Sequence, residues 1–92
     1  MNQPDWLPAV CEHFGWDPES WAYDPYADCW HRLGESADGE PTIAVYDAGY
    51  VEWEIGEVEI RDDVRGDVLT TLLALQAAAA ALESVYAARV KS

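Results

Sequence analysis

From Tyr50 to Ile55 the side chains alternate without a break: Val51, Trp53 and Ile55 are apolar, and Glu52 and Glu54 between them are acidic. Successive side chains of a strand point to opposite sides, so this pattern demands a sheet with one side buried and the other in water. At Gly56 the phase shifts by one, and the apolar positions become Val58 and Ile60. A glycine at such a shift marks one of two things. A bulge keeps one long strand, with Glu52, Glu54, Glu57 and Glu59 all outward. A Gly56-Glu57 turn instead starts a third antiparallel strand. Both give an acidic solvent side.

Thr42-Ile43-Ala44-Val45-Tyr46 reads as the preceding strand, joined to the next by Asp47-Ala48-Gly49, where glycine permits a positive φ. Glu35 to Pro41 is a loop by composition. Before it, Pro4 to His13 or Phe14 reads as a short helix stopped by Gly15. Two Asp-Pro steps follow, Asp17-Pro18 and Asp24-Pro25. Each resembles an N-cap with proline at the first helical position, which predicts short helices near Pro18–Tyr23 and Pro25–Leu33. In the last third, Val64, Val68, Leu72, Leu75, Ala79, Leu82, Tyr86 and Val90 recur at helical spacing. Asp62 or Asp63 caps this helix, Asp67 suits its first turns, and Arg89 and Lys91 sit at the end that favours cations.

The expectation is one α+β domain over residues 1–92. Short helices occupy 1–34, a two- or three-stranded antiparallel sheet 42–60, and a long helix over 63–91 packs on the sheet. Such a chain forms a globule ~30 Å across. The helix from Asp67 to Val90 would run ~36 Å and exceed it. Its other face carries Ala74, Ala78, Ala81 and Ala88, so a second copy pairing through 67–90 is a possible cover.

Charge narrows the function. The formal net charge is −13, and residues 1–60 hold fourteen acidic residues against a single base, Arg32. Residues 61–92 balance, four acids against four bases. Binding to DNA, RNA or an anionic membrane needs a basic patch, so these partners are excluded. The N-terminus has no basic segment followed by an apolar one, which argues against a signal peptide. The apolar stretch from Val68 to Ala88 is rich in alanine and carries Glu83, a poor membrane span. A cytoplasmic protein with free thiols at Cys11 and Cys29 is expected.

The acidic side is costly. Glu52 and Glu54 lie ~6.7 Å apart on one strand face, and each such neighbour costs ~0.6 kcal/mol in water. Thr or Lys would serve an exposed strand better. As a polyanion, however, the arrangement is apt: 13 charges correspond to ~22 Å of duplex DNA. A basic groove made for nucleic acid would attract it over long range. The candidate binding residues are Glu52, Glu54, Glu57, Glu59 and Asp47 as phosphate surrogates, with Asp24, Asp28 and Tyr26 as a second cluster. The rings of Trp16, Trp21, Tyr23, Tyr26 and Trp30 interleave with acids here, a setting that suits arginine.

Other chemistry is thin. Cys11-x-His13 and Cys29-x-His31 supply four zinc ligands by type. The spacing is not that of a finger, and residues two apart on a helix diverge. Asp17 to Asp28 has calcium-loop length, but Ala22 stands where the glycine belongs. No phosphate loop, nucleophile elbow or dinucleotide fingerprint is present, so neither a cofactor nor an enzyme is expected. In size and acidity the whole chain is similar to small inhibitors carried by phages and mobile elements: DNA-mimic anti-restriction proteins, anti-CRISPR proteins and uracil-glycosylase inhibitors. Nuclease immunity proteins are also similar. The likeness is compositional and implies no site residue. It implies an acidic inhibitor that occupies a basic nucleic-acid-binding protein.

Overall fold

The computed structural model of the chain describes residues 3–91, with side chains from residue 3 to residue 89. Met1, Asn2 and Ser92 lie outside the described residues, as do the side chains of Val90 and Lys91, assigned above to the helical stripe and its cationic end.

Helix α1 spans Leu7–Phe14, three residues later than Pro4, with Pro8 in its first turn. Gly15 ends it at φ 74°, and its N–H donates to the Cys11 carbonyl at 2.8 Å. Five strands follow: β1 (Trp21–Asp24), β2 (Cys29–Arg32), β3 (Thr42–Tyr46), β4 (Tyr50–Ile55) and β5 (Val58–Asp63). They form a single antiparallel meander in the order β1-β2-β3-β4-β5. Helix α2 spans Val68–Lys91.

The sheet is therefore larger than the expected two or three strands, because two of the three expected N-terminal helices are a hairpin. Asp17 does cap a turn, accepting from the Glu19 N–H at 2.9 Å, but that turn is a single 3-10 turn over Pro18–Ser20. Asp24 accepts from the N–H groups of Tyr26 and Ala27 at 2.9 and 3.3 Å. No helix follows. The carboxylate closes the β1–β2 turn, and Asp28 at φ 54° completes the reversal. Asp-Pro serves both motifs, since in each the side chain accepts from N–H groups two or three residues on.

The phase shift at Gly56 is a turn, not a bulge: Ile55 pairs with Val58 and Tyr50 with Asp63. Pairing to Asp63 means that Asp62 and Asp63 end β5 instead of capping α2. The cap is Asp67, whose carboxylate accepts from the Thr70 N–H at 2.7 Å. These hydrogen bonds hold its pKa below the ordinary carboxylate value.

Both helices pack on one side of the sheet. Trp21, Ile43, Val45, Val51, Trp53 and Val58 meet Leu7, Val10 and Cys11 of α1 and Val68, Leu72, Leu75 and Ala79 of α2 in one buried cluster. The stripe read from the sequence continues past the sheet, where residues 80–89 are exposed, Val85 at 54 %. This overhang gives a long axis of 48 Å against 26 and 25 Å across, well beyond the expected globule. By length and composition alone, Val68–Arg89 could cross a membrane. Here the sheet covers its first half.

Candidate functional site: an uncovered acidic sheet face

Cross-strand partners share a side of a sheet, so the register assigns the face turned away from the helices. It carries Ala22, Asp24, Cys29, His31, Thr42, Ala44, Tyr46, Tyr50, Glu52, Glu54, Glu59, Arg61 and Asp63. Among the described residues no helix lies over this face. Among its described residues only Cys29 is buried, by its strand neighbours.

Glu54 and Glu59 are direct cross-strand partners, both exposed. Like charges so placed are destabilising, and the Gly56 turn makes the opposition obligatory by fixing the register. Glu52 is different. Arg61 stands opposite it, pairs with it at 3.4 Å and lies over the Tyr50 ring at 5.3 Å. The cost counted above for Glu52 is thus partly relieved, since β5 returns Arg61 to the same face.

The eight candidate residues do not make one continuous stripe. Glu52, Glu54 and Glu59 share the open face, and Glu57 sits in the β4–β5 turn at one end of the sheet. Asp24, Tyr26, Asp28 and Asp47 gather at the opposite end, where the β1–β2 and β3–β4 turns are tied by the Asp47 N–H donating to the Asp28 carbonyl at 3.0 Å. Tyr26 is 99 % exposed and contributes nothing to packing. Tyr23 donates its hydroxyl to the Asp28 carboxylate. That bond is the main reason its pKa is pushed up to about 12.

Arg32, the one base of the first sixty residues, is spent inside. It is 7 % exposed, stacked over Trp16 at 4.4 Å, bonded to the Pro41 carbonyl at 3.3 Å and paired with Glu40 at 3.6 Å. Its side chain lies on the helix side of the sheet, across from Trp21 and Ile43. The field on the open face is felt by neutral neighbours. Burial first, then Asp24, Glu52 and Asp28, push the Cys29 thiol up. Burial and then Glu52 do the same for Tyr46, which stacks on Tyr50 with centroids 4.3 Å apart.

The four zinc-type ligands are not assembled. Cys11 is in the core beneath the sheet, while Cys29 and His31 belong to the opposite face. Among the described residues no group of three or more His, Cys, Asp or Glu side chains could hold a metal ion.

Sequence reasoning missed a cleft on the helix side at the turn end. It has a volume of ≈ 400 Å³ and is lined by Pro4, Trp6, Tyr23, Asp28, Trp30 and others at the end of β3 and the start of α2. Trp6 meets Trp21 edge-on at 5.5 Å, yet it is only half-buried. No protein-family model matches the chain, and no characterised protein or solved structure matches it either.

Proposed function

We propose that this protein is a small non-enzymatic inhibitor. It would occupy a basic nucleic-acid-binding groove of a host or defence protein in place of DNA or RNA, as the compositionally similar phage-borne inhibitors do. A cytoplasmic site of action goes with this reading. The observation that carries it is the uncovered sheet face, where Glu54 opposes Glu59 at a cost to stability that a lysine at either position would remove. A partner whose groove is lined with Lys and Arg turns that repulsion into attraction and gains association rate from the −13 charge. Nuclease inhibition by an immunity protein is a variant of the same reading, with the same chemistry at the surface.

The test is affinity capture from host lysate by the wild-type chain and by a Glu54→Lys/Glu59→Lys variant whose fold is checked by circular dichroism. Loss of the captured basic protein from the variant supports the proposal. Equal capture by both removes the sheet face from consideration.

The α2 overhang favours a second reading, a homodimer joined through 67–90 whose acids serve solubility. Leu82, Val85 and Tyr86 are exposed there. Sedimentation showing a tight dimer, with partner binding indifferent to salt, would select it.

A further inference from the structure

We propose that the cleft at the turn end receives an arginine side chain of the partner protein. The proposal rests on the reading that the partner is basic, and it names the anchor residue that partner inserts.

The cleft is built from two kinds of wall. Trp6, Tyr23 and Trp30 supply rings, with Tyr23 and Trp30 set at 55° to one another and 5.7 Å apart as an open wedge. Trp6 and Trp30 pack against the core but are only half-buried, so part of each ring remains open to solvent. Asp28 and Asp47 supply charge, held side by side by the backbone bond between their turns. Asp28 spends one acceptor site on the Tyr23 hydroxyl. A carboxylate offers about four, so capacity remains. The Tyr23 bond also fixes the carboxylate against the ring wall, which orients it for an incoming donor.

The volume falls within the ~300–1,000 Å³ of ligand pockets. Rings combined with carboxylates select a cation over a neutral or anionic group. Between the two basic side chains, arginine fits better. Its planar guanidinium stacks on a ring while its N–H fork reaches two acceptors, whereas a lysine ammonium is a strongly hydrated point charge. Pro4, Val45, Tyr46, Val64 and Val68 complete the lining, and its aliphatic part suits the stem of the guest.

The experiment is a nuclear magnetic resonance titration of the intact protein with acetyl-Gly-Arg-Gly-amide, and with the matched lysine and citrulline peptides. It is repeated on Asp47→Asn and on Glu54→Gln/Glu59→Gln. The arginine peptide should move the Trp6 and Trp30 indole signals and the Asp28 and Asp47 amides saturably. Citrulline should bind at least tenfold more weakly, lysine detectably more weakly than arginine, and Asp47→Asn should lose at least fivefold in arginine affinity. The Asp47 carboxylate is exposed and the amide has the same shape, so an unperturbed spectrum elsewhere certifies the fold. Absence of saturable shifts at Trp6 and Trp30 overturns the proposal, as does an equal response to citrulline. Shifts that follow Glu54→Gln/Glu59→Gln instead of Asp47→Asn also overturn it, while leaving the acidic-face reading standing.

Discussion

Tyr23 and Asp28 show how far single side chains determine this surface. The phenol is held neutral by the carboxylate it bonds, and its folded pKa of about 12 lies above the ordinary value of 10.0. A group whose folded pKa is raised contributes stability that is complete below the unfolded value and lost as pH rises through the folded one. The β1–β2 turn should therefore be supported up to about pH 10 and lose that support between about pH 10 and 12. Ultraviolet titration of tyrosinate, with Tyr23→Phe as control, checks this. A late-titrating tyrosine that disappears in the variant is the expected outcome, and unchanged titration contradicts the bond. Other residue-scale roles were hidden in the sequence. Asp24-Pro25 is equally good chemistry for a helix start and for a turn. What decides is that Cys29–Arg32 pairs on both sides, with β1 and with β3. Four-residue strands are too short to display a period. Gly34 shows another hidden constraint: an added Cβ would run into the Pro41 backbone, a long-range approach that no local pattern records.

At the scale of elements, β4 was legible because six residues alternate and Gly56 breaks the phase. The register was not, and register is what matters for the site. It sets Glu54 against Glu59 and Glu52 against Arg61, so the second carboxylate is partly neutralised and the first pair is not. Cross-strand charge pairs each contribute ~0.2–1 kcal/mol. Replacing the repulsive pair by Glu59→Lys should raise stability by about 1 kcal/mol while weakening partner binding. Denaturant unfolding reads the first effect as a higher midpoint at unchanged slope. Lower stability in the variant would show that the paired acids do not repel. The start of α2 was misplaced for a related reason. Asp62, Asp63 and Asp67 all have capping chemistry. Pairing of β5 with β4 consumes the first two, leaving Asp67 to accept from Thr70.

On the scale of the whole molecule, the protein is an acidic body with a nearly uncharged helical extension. All of the formal −13 comes from residues 1–60, and Arg32, the only cation there, is buried. The seven candidate acids divide between the open face and the two ends of the sheet, while Glu12 lies on α1 and Asp17 and Glu19 at the turn that follows it. A partner could thus meet negative charge along the sheet while an arginine anchors at the turn end. The most direct measurement of that claim is competition between this protein and duplex DNA for a captured partner, at ~50 and ~200 mM salt. Mutually exclusive binding is expected, with an affinity for the protein that falls steeply with salt. A ternary complex of partner, protein and DNA, or an affinity indifferent to salt, would contradict it.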